Sequence, residues 1–214
     1  MKAKALIFDL DGVVTDTAHF HFLAWKSLAD SLGFHFDEQD NERLKGVSRI
    51  RSFEIILEIN GALDRFTEAE KEALCTKKNE IYKDLVSAMT PEDILPGIPE
   101  ILARAKAQGV PVALASVSKN APAVLRALGL QDAFDYVADA AKVKNSKPDP
   151  EIFILCADAL GVPCGDCVGI EDAQAGIEAI HAAGMKSVGI RVTVTSVAPD
   201  IALGSTAQLA DLEL

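Results

Sequence analysis

The chain has 214 residues, 49% of them hydrophobic, 25% charged and 6% aromatic, a composition that excludes disordered and fibrous classes and leaves one large domain, or a core with a smaller insertion. With 32 acidic residues against 21 basic the formal net charge is −11, so the overall field repels nucleic acid and anionic membrane surfaces, and an anionic ligand must be met by local basic side chains. No apolar run reaches the roughly 18 to 20 residues of a membrane span, and Met1-Lys2-Ala3-Lys4 does not read as a secretory signal, which predicts a cytoplasmic protein.

Residues 3–8 form a short apolar run, broken only by Lys4, and predict a buried strand that stops at Asp9-Leu10-Asp11-Gly12. Helical patterns follow at 17–32, 37–44, 50–59 and 67–88 with no convincing strand between them. They predict an all-helical cap domain over residues 16–90, inserted into a core made of residues 1–15 plus 91–214. The core then alternates. Helices are expected at 97–108, 119–128, 150–160 and 173–183, and strands at 110–115, 136–138, 167–170 and 185–190. Gly109, Gly129, Gly161 and Gly184 end the helices. This alternation predicts an α/β fold with a doubly wound parallel sheet. A helical insertion directly after the first strand is expected over the carboxyl ends of the strands, as a lid. Residues 192–204 read as a weakly patterned loop.

The four cysteines, Cys75, Cys156, Cys164 and Cys167, are too few for a disulfide framework and fit a reducing compartment. Cys164 and Cys167 have C-x-x-C spacing, but no second pair accompanies them and no strand feeds Cys164 into a helix, so the spacing reads as coincidence.

In an open α/β sheet, ligands bind beyond the carboxyl ends of the strands. The residues at those ends here are polar: Asp9 and Asp11 after the first strand, Ser116 with Ser118, Lys119 and Asn120 after the second, Lys147 in the loop after the third, and Glu171 and Asp172 after the fourth. Each alone reads as a turn, a helix cap or a solvated lysine. Together they converge. Carboxylates cannot all stay ionised in a partly dry crevice without a cation, and an all-oxygen set suits Mg²⁺. Such a metal beside a free carboxylate, a lysine and a hydroxyl suits phosphoryl transfer, with Asp9 attacking phosphorus and Asp11 moving a proton.

Phe8-Asp9-Leu10-Asp11-Gly12-Val13, Ser116, Ser146-Lys147-Pro148 and Gly169-Ile170-Glu171-Asp172, in that order, resemble the four motifs of the haloacid dehalogenase superfamily. The resemblance implies a Rossmann-like core and an aspartyl phosphate on Asp9, with Asp11 as acid and base. It implies Mg²⁺ held by Asp9, the Asp11 carbonyl, Asp172 and Glu171, and a transferring phosphoryl group bound by Ser116 and Lys147. The second aspartate of the first motif points to phosphoryl chemistry rather than dehalogenation.

The inserted segment resembles the cap of the β-phosphoglucomutase subgroup through Thr15-Asp16-Thr17, His21, Trp25, Lys45-Gly46-Val47-Ser48-Arg49 and Ser52. On a helix His21 shares a face with Thr17 and Trp25, whereas His19 points away. The bland reading of His21 is a polar neighbour packed beside an aromatic; the resemblance gives it a hydrogen bond near Asp11 that couples cap closure to proton transfer. Arg49 is either one more surface arginine beside Arg43 and Arg51 or, by the resemblance, the clamp on a distal phosphate, with Gly46, Val47 and Ser48 approaching the sugar. An apolar stripe of Leu74, Ile81, Leu85 and Ala88 is centred between Lys77 and Lys78, so a helical wheel leaves open which lysine faces inward. By the resemblance, the family's Lys-Asn pair selects Lys78-Asn79, with Lys78 reaching the substrate. Val117 stands where a smaller residue is common in related mutases, and Lys119 and Asn120 are expected to assist Arg49.

The resemblance implies a mutase that takes β-glucose 1-phosphate to glucose 6-phosphate through a bisphosphate. A sugar-phosphate phosphatase is the alternative, since the core motifs serve both; a non-catalytic phosphosugar binder is disfavoured because both aspartates are present. The expected partners are small phosphorylated sugars, with no nucleic acid and no membrane, and the expected state is a monomer.

Overall fold

Four consecutive buried side chains, Ala5–Phe8, form β1, the pattern of a central parallel strand covered on both faces. Four helices follow, α1 (Ala18–Leu32), α2 (Glu38–Asn41), α3 (Arg49–Ile59) and α4 (Glu68–Ser87). The chain then alternates through α5 (Ile98–Gln108), β2 (Val112–Leu114), α6 (Ala121–Ala127), β3 (Tyr136–Val137), α7 (Glu151–Leu160), β4 (Cys167–Glu171), α8 (Gln174–Ala182), β5 (Lys186–Ile190) and β6 (Ile201–Leu203). The computed structural model describes residues 3–44 and 49–212. The chain divides into two compact units, one of Met1–Asp16 with Met89–Leu214 and one of Thr17–Ala88.

In the first unit a six-stranded sheet has the order β3-β2-β1-β4-β5-β6, parallel throughout, with Phe8 paired to Leu114 on one side and to Ile170 on the other. This is a doubly wound, Rossmann-like α/β fold. The strand order reverses between β1 and β4, so the crevice at their carboxyl ends is the topological switch point where such sheets bind ligands. Ile7 and Ala113 pack with Phe153, Cys156, Ile177 and Ile180 into a core that fixes those strand ends.

The loop reading of residues 192–204 is corrected by β6, which pairs with β5 through Val188 and Ile201. Its three residues are half-buried or exposed, so no apolar run announces it. Long-range contacts hold it instead: the Asp200 carboxylate accepts from Ser187 N at 2.8 Å. The expected helix at 119–128 begins later, because Asn120 takes the N-cap position and Pro122 follows within the first turn. The helix expected at 37–44 is divided into α2 and a 3-10 turn, Glu42–Leu44.

In the second unit Trp25, Leu28, Phe36, Phe53, Ile56, Leu57 and Cys75 form a separate core, with the Trp25 and Phe53 rings stacked at 6.2 Å. α4 starts at a capping box between Thr67 and Glu70, which satisfies its first free amides. Its buried face is Lys71, Cys75, Lys78, Tyr82 and Val86, a helical period that replaces the expected stripe. Leu74, Ile81 and Leu85 are only half-buried and Ala88 is exposed. Two lysines sit on the inner face, so a hydropathy count places that face one residue off.

Among the described residues no helix is long and apolar enough to cross a membrane. All four cysteines are free, with Cys164 half-buried and Cys167 buried.

Candidate active site

β1 delivers Asp9 to the switch point, and the Asp9 amide continues the ladder by donating to Ile170 O at 2.9 Å. The chain then folds back at once: Val14 and Thr15 amides donate to Leu10 O, and Gly12 N donates to Thr15 O. In this turn the Asp11 amide donates to Asp9 Oδ2 at 3.0 Å. The other carboxylate oxygen, Oδ1, accepts from Lys147 Nζ at 2.5 Å. Asp9 is therefore gripped from two sides and its orientation is fixed.

Lys147 also donates to Glu171 Oε2 at 2.7 Å. Glu171, the last residue of β4, uses Oε1 to accept from the amides of Asp172 and Ala173, each at 3.2 Å. Both of its oxygens are thus engaged within the protein. Close packing makes this possible at two glycines. A Cβ on Gly176 would lie 2.0 Å from Glu171 Cδ, and one on Gly12, whose φ is +75°, would lie 2.1 Å from Asp172 Oδ2.

Ser116 lies just past β2, whose next residue, Ala115, donates its amide to Phe8 O at 2.7 Å. Ser116 is buried, and its Oγ accepts from Ser118 N at 3.2 Å. Ser118 Oγ accepts from Asn120 N at 3.3 Å; Asn120 is buried, whereas Val117 and Lys119 are exposed.

Burial raises the Asp9 carboxyl well above its ordinary range, with Glu171 adding to the rise and Lys147 opposing it. Burial and then Glu171 push Asp172 up to about 7. Burial pulls Lys147 down, but Asp9 and Glu171 together hold it above the ordinary lysine value. The set therefore carries more negative charge than its lysine neutralises. Asp9, Glu171 and Asp172 each offer an oxygen within 4.8 Å of the others, an all-oxygen group that fits a hard divalent cation.

The helical unit holds a second polar set. Lys78 Nζ meets His21 Nδ1 at 2.8 Å and lies 4.8 Å from the Trp25 ring centre and 5.1 Å from that of Tyr82. The His21 ring stacks on Tyr82 at 4.1 Å. Burial, reinforced by Arg49, drives Lys78 down to about 7, and burial followed by Lys78 and Arg49 takes His21 to about 3. His21 is therefore neutral at physiological pH, with Nδ1 accepting from the lysine. Of the two lysines the wheel left open, Lys78 is buried and Lys77 exposed. Trp25, 3% exposed, and Ser52 are buried; Trp25 forms a wall against the ammonium. Arg49 is exposed and donates from Nη2 to Asn79 Oδ1 at 3.0 Å. Gly46, Val47 and Ser48 lie outside the described residues. Asn79 is expected from sequence only as the partner of Lys78 in the family's Lys-Asn pair, with no role of its own. Tyr82 is absent from the residues expected from sequence, and its one sequence signal is its place four residues after Lys78.

Residues 3–184 match the family model of haloacid dehalogenase-like hydrolases. The chain is 47% identical over 206 residues to the beta-phosphoglucomutase of Bacillus subtilis (strain 168), covering 96% of this chain and 91% of that protein. It is 36% identical over 192 residues to the fructose-1-phosphate phosphatase YqaB of Escherichia coli (strain K12), covering 89% of this chain and 98% of that protein. Among solved structures, a beta-phosphoglucomutase from Clostridium difficile is similar with a TM-score of 0.86 and 45% identity, over 97% of this chain and 93% of that one.

Proposed function

The chain belongs to the haloacid dehalogenase-like hydrolases, and on that footing we propose that it is a β-phosphoglucomutase. It interconverts β-D-glucose 1-phosphate and β-D-glucose 6-phosphate through a phosphorylated Asp9 and β-glucose 1,6-bisphosphate. The observation that carries the choice of mutase is the 47% identity, over 96% of the chain, to the Bacillus subtilis enzyme. The cation set of the helical unit supports it. Arg49 and Lys78 have no ion-pair partner among the described residues, and a two-phosphate sugar supplies the anion they lack.

The Asp9 carboxylate, oriented by Lys147 and the Asp11 amide, attacks phosphorus. The bond from phosphorus to the sugar oxygen breaks, and Asp11 protonates that oxygen as it leaves. In the return step Asp11 takes the proton from the attacking sugar hydroxyl and the phosphoryl group leaves Asp9. In each turnover the hydroxyl attack on phosphorylated Asp9 comes first and gives the bisphosphate, which turns end for end before Asp9 takes its other phosphoryl group. Lys147 and Ser116 bind the phosphoryl oxygens, and Arg49 binds the distal phosphate, assisted by Lys119 and Asn120.

Asp9, Asp172 and the Asp11 carbonyl would hold Mg²⁺, and the excess of carboxylate over lysine charge fits a dication. Glu171, which also accepts from Lys147 and two backbone amides, completes that set and places Lys147. When bound, the metal neutralises carboxylate and phosphoryl charge and orients the transferring group.

The second reading, a sugar-phosphate phosphatase, is favoured by the 36% identity to the Escherichia coli fructose-1-phosphate phosphatase. Phosphorus NMR separates the two. The protein is incubated with Mg²⁺, β-glucose 1-phosphate and a trace of glucose 1,6-bisphosphate, and glucose 6-phosphate and inorganic phosphate are followed together. A mutase gives glucose 6-phosphate with little free phosphate; phosphate release equal to substrate loss makes the protein a phosphatase.

A further inference from the structure

We propose that Asn79 is a positioning residue for the reaction: its amide oxygen holds the Arg49 guanidinium so that the remaining N–H edge faces the sugar's distal phosphate with its full charge. This rests on the mutase reading and extends it to a residue that touches Arg49 rather than substrate.

Arg49 is held differently from the two arginines nearest it in sequence. Arg43 pairs with Glu58 at 3.3 Å, and Arg51 pairs with Glu54 at 3.2 Å and with Glu58 at 2.8 Å. Arg49, at the first residue of α3, instead meets the neutral oxygen of Asn79 at 3.0 Å. A carboxylate at that position would orient the guanidinium equally well, but it would cancel the charge that a phosphate needs. An amide orients it and leaves the charge intact. Among the described residues only one Nη2 hydrogen is spent, so the fork keeps donors for a bidentate grip on a second anion.

α4 holds Arg49 at a second point. Cys75 Sγ donates to the Arg49 carbonyl at 3.7 Å, and Cys75 and Asn79 are one helical turn apart on one face. Backbone and side chain of Arg49 are therefore both referenced to the helix that carries Lys78. The exposed guanidinium would otherwise lose more rotamer freedom on binding a phosphate.

The test is a double-mutant cycle of Asn79→Ala and Arg49→Ala, reading KM and kcat for β-glucose 1-phosphate at a fixed, saturating level of the bisphosphate. Loss of one oriented hydrogen bond corresponds to a rise of roughly three- to tenfold in KM, with kcat changed by less than about twofold, as for lost ground-state and transition-state binding in equal measure. In the Arg49→Ala background the same substitution is expected to change KM by less than about twofold, because the group through which it acts is gone. Asn79→Asp, the same shape with a charge, is expected to raise KM further than Asn79→Ala. A merely structural role predicts the reverse order, with the isosteric variant the milder. The proposal is overturned by an unchanged KM in Asn79→Ala, by an equal effect in both backgrounds, or by Asn79→Asp being the milder variant. An unchanged KM in Arg49→Ala alone is a different result, since it removes the distal-phosphate clamp and with it the mutase reading on which this inference stands.

Discussion

Lys78→Met is expected to stabilise the helical unit at neutral pH. Lys78 is 2% exposed, and its amine is moved from 10.5 to about 7 by burial and by Arg49. At about 1.4 kcal/mol for each tenfold change in proton affinity, this places the cost of the lysine at pH 7 on the order of 4 kcal/mol. Methionine has a similar reach, no charge to desolvate, and a sulfur suited to the space between the Trp25 and Tyr82 rings. The substitution gives up two cation–π contacts, together about 1 to 2 kcal/mol, and the hydrogen bond to His21, about 1 kcal/mol. A net gain of roughly 1 to 2 kcal/mol remains. The sign of the pH dependence follows from the depressed folded value. Below about 7 the lysine is charged in both folded and unfolded chains and the full cost is present. Between about 7 and 10.5 only the unfolded chain holds the proton, so wild-type stability rises with pH; above 10.5 the cost is gone.

Trp25 is the single tryptophan of the chain and lies against Lys78, so its fluorescence reports urea unfolding of this unit directly. Curves at pH 7, 8 and 9 are expected to show the variant more stable at pH 7 and the advantage closing, or reversing, by pH 9. A variant less stable than wild type at pH 7, or a gap independent of pH, refutes the assignment of a buried, costly charge to Lys78.

Lys147→Met leaves the buried carboxylates of Asp9 and Glu171 without the ammonium they share; stability at pH 7.5 is expected to fall by roughly 3 to 5 kcal/mol. Because the Asp9 carboxyl is already raised by its surroundings, protonation relieves part of this loss. Urea denaturation at pH 5 should therefore show a smaller difference than at pH 7.5, and an equal difference refutes the pairing. Gly12→Ala introduces a Cβ 2.1 Å from Asp172 Oδ2 at a φ of +75° and must displace that carboxylate. The Mg²⁺ concentration for half-maximal turnover is expected to rise about tenfold or more, measured by metal titration of the initial rate; an unchanged value removes Asp172 from the cation site.

The central strands were legible because their surroundings impose one composition. β1 and β4 are buried along their whole length, so each appears as an apolar run ending abruptly in acids. β6, at the sheet edge, is partly exposed and is held by Asp200 and Ser187, a pairing that no local window contains. The convergence of Asp9, Lys147 and Glu171 followed from the rule that strand ends meet at the switch point. The engagement of both Glu171 oxygens, one of them by two backbone amides, did not, since it depends on how the chain turns after β4. The helical unit was harder to read for a different reason. Hydropathy assigns a lysine to water, whereas Lys78 is kept inside by two aromatic rings and a neutral histidine.

The two polar sets have opposite deficits. In the α/β unit, carboxylates outnumber the single lysine among them, and Asp9 and Asp172 are both raised by burial first and then by the neighbouring Glu171. In the helical unit, Arg49 helps to depress Lys78, and neither has an ion-pair partner among the described residues. Unbalanced partly buried charge is costly, so each set is expected to persist because a ligand completes it. A divalent cation and a phosphoryl group complete the first, and a further anion completes the second. A phosphatase acting on a sugar monophosphate requires only the first completion. A bisphosphate that is turned end for end requires both, which is the physical ground for preferring the mutase.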